Sequence, residues 1–326
     1  MIHLRLVVPG GLSTEVVDFL CQDPRVLNVA VLPGAALQPP GDVLLCDVAR
    51  EAASDVITTL RRLGVGDESS IAIQDLEAIE SAAADRAEQA APGSPDDGIV
   101  WDVVLGRARA DSQASWSFYA FLALATIIAA VAVITDSAIL VVGAMVVGPE
   151  FGPVSAAAVG LVLWRPKLVR NAVGLLVTGF VTAIVLTAAL ALLARLSGWI
   201  TAADLSDPRP MTGFIWAPDR WSVVVAVLAG TAGVLSLTAG RSSVLVGVFI
   251  SVTTVPAAGN LALALALGVP GEIGGASAQL GINLLGMSIA GCLVLSVQRL
   301  LTRNRFTRTI PPGRGNSSNP DPTRSR

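Results

Sequence analysis

Glu150 is the residue of this sequence best placed to do chemistry, because it is an acid inside an apolar run. It lies in Gly148-Pro149-Glu150-Phe151-Gly152-Pro153, which interrupts the aliphatic stretch from Ser137 to Leu163. An ionised side chain at bilayer depth costs about 3 kcal/mol or more. Such an acid is kept when it is protonated, paired, or bound to an ion or a substrate. The plainer alternative makes it a helix-capping acid in a wet vestibule opened by the Gly-Pro break. A second interruption, Ser251 to Asn260 around Pro256, brings oxygens from Ser251, Thr253, Thr254 and Asn260, and Asn283 follows later. Each alone is more often a hydrogen bond between helices. Together with Gly148, Pro149, Pro153 and Pro256 they outline a route for a small solute or an ion.

The prolines give this route a physical basis. Proline removes a backbone donor and clashes with the carbonyl four residues earlier. Lipid cannot satisfy the groups set free, so such backbone is buried in protein or lines a wet cavity. The two interruptions occupy the second apolar run of each half of the chain. Paired broken helices in inverted halves point to the central site of a transporter. The two runs align loosely, since their prolines do not fall in strict register.

Other chemistries find little support. One histidine, His3, excludes a His-rich metal site. Cys21, Cys46 and Cys292 show no CxxC spacing and are read as reduced thiols. No His/Glu metal motif, Ser–Lys or Ser–His arrangement, or paired intramembrane aspartates are visible, so no enzyme and no cofactor are expected. Nor does any Gly-rich phosphate loop or aromatic nucleic-acid motif stand out.

The elements that position these residues follow from composition. Of 326 residues, 53% are hydrophobic and 14% charged, well under the roughly 25% charge of soluble domains. The deficit is concentrated between Ser115 and Leu301. Residues 1–76 instead read strand, helix, strand, strand, helix, strand. That order predicts an α+β ferredoxin-like (βαββαβ) domain. Its strands are expected at Ile2–Val8, Val26–Leu32, Asp42–Val48 and Ser69–Ile73, with a loop over Pro33–Pro40 and a first helix capped near Ser13. Residues 77–98 read as a flexible linker whose Ala-rich first half suits a helix, and 99–113 as an interfacial amphipathic helix. There Trp101 would lie at headgroup depth and Arg107 and Arg109 would face lipid phosphates. Residues 114–302 form the helical membrane domain and 303–326 a disordered basic tail. The N-terminus carries no secretory signal pattern.

The apolar runs Trp116–Thr135, Ser137–Leu163, Leu168–Leu196, Trp221–Leu237, Ser243–Leu267 and Ala276–Leu301 approach the roughly 20 residues of a membrane pass. This predicts a polytopic α-helical membrane protein of about six passes in an inverted 3+3 repeat. Arg165, Lys167, Arg170, Arg241, Arg299, Arg303, Arg305 and Arg308 fall on one side, while Asp136 and Glu272 fall on the other. By the positive-inside rule both termini are cytoplasmic. Asp136 and Arg241 begin equivalent runs and are read as interfacial charges, and Trp199, Trp216 and Trp221 as an aromatic belt.

Asp136-Ser137, Gly143-Ala144-Met145, and the prolines at 149 and 153 resemble motifs of the family called domain of unknown function 389. So does Val255-Pro256-Ala257-Ala258 with Asn260, over about 115–300 in all. Glu150 stands where that family commonly has leucine, and Val255 replaces a proline. The resemblance implies a bacterial or archaeal inner-membrane protein of unestablished activity. The reading is therefore a transporter or channel-like protein with a regulatory or oligomerising cytoplasmic domain. Its expected partners are membrane lipid, further copies of the chain and a small solute or ion, without nucleic acid. A non-transporting membrane-anchored sensor or assembly scaffold is the alternative.

Overall fold

The structure is a computed structural model describing residues 1–66, 69–76, 78–91, 93, 98–240 and 252–306, with side chains to 302. Strand β1 (Ile2–Val8) buries Ile2, Leu4, Leu6 and Val8 and turns His3, Arg5 and Val7 to its other face, as the two-residue period of a half-covered strand requires. It pairs antiparallel with β3 (Pro40–Val48) and β4 (Ser70–Asp75), with Leu4 opposite Cys46 and Ile73. Strand β2 (Val26–Leu37) joins the far side of β3, giving the order β2-β3-β1-β4. Helices α1 (Gly10–Gln22) and α2 (Ala53–Arg62) supply Val16, Leu20, Val56, Ile57 and Leu60 to one core with the buried strand residues.

Two details differ from expectation. β2 runs through Pro33 to Leu37, where a loop was expected. It is an edge strand, so a missing proline N–H costs no ladder bond. Helix α1 starts directly after Pro9, and Ser13 is buried within it instead of capping it. Between β4 and residue 98 lies α3 (Ala82–Ala90), where Ser81 accepts the Ala83 N–H, and Ala84 and Ala87 join the domain core.

All three cysteines are free, with Cys21 exposed and Cys46 buried. Burial, helped by Asp47, pushes the Cys46 thiol up to about 12. Thiolate is the reactive form, so at pH 8 the native protein should be alkylated at Cys21 and spared at Cys46. Peptide mapping after a timed iodoacetamide pulse reads this, and equal labelling would show that the sheet opens.

Helix α4 (Trp101–Asp111) joins this domain to the bundle. On one side Ser54 Oγ donates to the Ile99 carbonyl and accepts the Trp101 N–H, and Arg61 pairs with Asp102 at 2.7 Å. On the other side Val104 and Ala108 pack with Ala156–Val159. Trp101 is half-buried in that contact, whereas Arg107 and Arg109 are exposed.

Among the described residues, α5 (Trp116–Ile134), α8 (Pro166–Leu196), α10 (Arg220–Ala239) and α12 (Pro270–Phe306) are long and apolar enough to cross a bilayer. Helices α6 (Ala138–Val147) and α7 (Phe151–Val162) meet that standard only together, bent by 51°. Helix α9 (Ala202–Ser206) is a short helix between α8 and α10, and α11 (Thr254–Leu267) is a shorter apolar helix of 14 residues. Residues 241–251, with Arg241 and Ser251, lie outside the described residues. The long helices expose aliphatic side chains such as Val181, Val185, Leu293 and Val297, the surface a membrane-embedded bundle presents to lipid. Trp116, Trp164, Trp199 and Trp221 are exposed at or just beyond helix ends. Helices α7 and α11 are instead almost wholly buried.

Small residues set the closest contact. A Cβ on Gly230 of α10 would stand 2.6 Å from the Met287 carbonyl oxygen of α12, and one on Gly286 would stand 2.8 Å from Ala226 Cβ. Small residues four apart let helix backbones approach in this way.

Candidate functional site

The first break is built by three residues. Helix α6 ends at Val147, and Gly148 caps it in extended conformation, its N–H reaching the Ala144 carbonyl at 3.2 Å. Pro149 has no N–H, so the Met145 carbonyl loses its helical donor. Glu150 precedes α7 with φ −66° and ψ −24°, and its side chain makes no capping bond. The carboxylate folds back over Gly148 instead. A Cβ there would stand 2.4 Å from Glu150 Oε2 and 2.7 Å from Val255 Cγ2. Glycine is thus the residue that lets the acid and the second broken segment share one space. Glu150 is 7% exposed, and its Oε2 has no hydrogen-bond partner.

Pro153 and Pro256 do not break helices. They are the third residues of α7 and α11, where an N–H would lack a helical partner anyway. This is a register the raw sequence hides. From their adjacent starts the two helices run to opposite ends of α12. The last turn of α7 receives an Arg299 hydrogen bond at the Val162 carbonyl, whereas α11 ends at Gly268, just before α12 begins.

At the start of α11, Thr253 Oγ1 accepts from Gln279 Nε2 at 2.9 Å and from Asn283 Nδ2 at 3.1 Å. Thr254 Oγ1 and Gln279 Oε1 are buried without partners. Thr253 and Asn283 are joined by their hydrogen bond, and Val255, between Thr254 and Pro256, links this stretch to Gly148 and Glu150. Gln279 belongs with them and was not foreseen.

Asn260 does not join this group. It lies seven residues along α11, about 10 Å away at 1.5 Å per residue. There its Oδ1 accepts from Arg209 at 3.1 Å, and its Nδ2 donates to Glu272 Oε2 at 2.9 Å. Arg209 also pairs with Glu272, and both are buried. Glu272, read as a lone loop acid, is thus a first-turn residue of α12 facing a base from the α8–α10 connection. Asp136, read as an interfacial charge, accepts from the Met211 N–H and, at 2.8 Å, from the Thr212 hydroxyl. Those bonds hold the same connection against the start of α6.

Residues 145–289 match the family model described as domain of unknown function (DUF389). The match covers less than half of the chain. It begins on α6 before the first break, takes in both half-helices and the Arg209–Glu272 pair, and ends on α12. An uncharacterized protein of Methanocaldococcus jannaschii is 25% identical over 175 residues, 54% of this chain and 52% of that protein. The chain thus spans about half the length of the curated relative it matches. No solved structure matches. The matched segment holds every residue of the Glu150 junction.

Proposed function

We propose that this protein is a transporter or channel-like protein of the cytoplasmic membrane, with a permeation route through the point where α7 and α11 begin. One observation carries the reading: two buried half-helices start side by side and diverge, with an unpaired carboxylate oxygen between them. Diverging half-helices match the inverted 3+3 arrangement in which broken segments flank a central site. In the same reading α11 belongs to one of six passes, and the positive-inside rule applied to Arg165, Lys167, Arg170 and Arg299 favours cytoplasmic termini. The N-terminal sheet order, antiparallel throughout with two helices on one core, supports a ferredoxin-like fold. Its role is regulation or assembly of copies of the chain. No enzymatic step is assigned.

Reconstitution into proteoliposomes tests this. Ion or solute flux is expected, falling at least about tenfold in Glu150→Gln, the factor that corresponds to about 1.4 kcal/mol. Pro149→Ala, which restores a donor to α6, should lower it too. Flux untouched by both changes removes the route from this junction. No flux with any common ion or metabolite leaves a membrane-anchored sensor or scaffold.

A further inference from the structure

We infer that the junction of α7 and α11 binds a small, hard monovalent cation, with Glu150, Thr254 and Gln279 as side-chain ligands. This rests on the junction being the functional centre, and adds the class of ion it takes. Three buried side-chain oxygens lack hydrogen-bond partners here: Glu150 Oε2, Thr254 Oγ1 and Gln279 Oε1. All three border the stretch Thr253–Val255. Gln279 donates to Thr253 through its nitrogen, Thr254 is next, and Val255 flanks with Glu150 the space that a Gly148 side chain would fill. Burying such acceptors unpaired costs free energy that a bound cation would return.

The facing starts of two helices would ordinarily favour an anion. Here that preference is weakened on both sides. Pro153 and Pro256 delete the N–H at the third position of each helix, and the next donors are already used: Val154 to the Glu150 carbonyl and Ala257 to the Thr253 carbonyl. The end of α6 adds the Met145 carbonyl, stripped of its donor by Pro149. The unpaired side-chain acceptors at the junction are all oxygens, a set that suits a hard cation.

Charge sets the valence. Among the described residues, the other buried charges of the bundle, Arg209 and Glu272, cancel each other. Glu150 leaves a single negative charge to balance, whereas calcium sites gather several carboxylates. Sodium is the natural probe.

The test uses the full chain in lipid nanodiscs, with thermal unfolding followed by tryptophan fluorescence. Choline is replaced by sodium at constant ionic strength. A saturable rise in Tm is expected with sodium and none with choline. Glu150→Gln should abolish the rise. Thr254→Val and Gln279→Leu should each raise the half-saturating sodium concentration about tenfold, and they decide the matter if the Glu150 variant does not fold. Glu51→Gln removes another buried, unpaired carboxylate, in the N-terminal domain, and should keep the wild-type response. An equal rise with choline, a rise that survives in Glu150→Gln, or a rise produced by acid alone with no sodium effect each overturns the proposal. The last result would mark a proton-held carboxyl. A sodium response without any flux keeps the ion site and sinks the transport reading; flux without a sodium response does the reverse.

Discussion

Replacing Arg209 with methionine is expected to destabilise the folded protein by about 3–5 kcal/mol, the range for breaking a buried ion pair. The Arg209 side chain is 5% exposed and bonds both Glu272 and Asn260. Removing it strands the Glu272 carboxylate, which is 5% exposed and keeps only the Asn260 amide as a donor. The cost is the desolvation of that abandoned charge, so it should largely vanish when the charge is removed too. Arg209→Met with Glu272→Met should recover most of the loss, since a well-packed apolar pair is often as stable as the ions it replaces. Denaturant unfolding of the two single variants and the double variant in detergent gives the coupling energy. A double variant as unstable as the sum of the singles would mean that the two side chains do not share their energy.

Substituting Gly230 by valine is expected to pry α10 from α12 and cost about 1–3 kcal/mol, the usual range for overpacking. The obstacle is backbone: the Met287 oxygen and Cα lie 2.6 and 2.7 Å from where the first added carbon would stand. A side chain can rotate away, whereas a helix backbone must translate as a whole. Gly143 of α6 is the matched control, because nothing lies within 4 Å of an added carbon there. Gly143→Ala should be neutral or stabilising by up to about 1 kcal/mol through helix propensity. Thermal unfolding of both variants separates the cases; equal effects would mean that Gly230 acts only through backbone entropy.

The strands of the N-terminal domain were legible because alternation in Ile2–Val8 is a local signal that burial follows directly. The extent of β2 was not, since Pro33 reads as a loop until the strand is known to lie at the sheet edge. In the bundle, Glu150 and the two interruptions stood out by composition alone. Their mutual position did not: Pro149, Pro153 and Pro256 look alike in sequence, and only the helix starts separate the one that ends α6 from the two that open α7 and α11. Gln279 was missed although a signal existed. Glu272, Gln279 and Asn283 recur at seven and four residues, one polar stripe on α12. Arg209 carried no such signal, because a base between two prolines in a polar connection reads as solvated until the fold buries it.

Trp101–Asp111 is fastened to Ser54 and Arg61 along one edge and to Ala156–Val159 along the other. A rod gripped on both flanks works as a lever, and neither flank can slide without straining the other. A tilt of the sheet would therefore be felt first at Ala156–Val159 of α7. If occupancy near Glu150 shifts the posture of the sheet, thermodynamic reciprocity fixes the return effect: a compound that favours that posture would change the occupancy by the same factor.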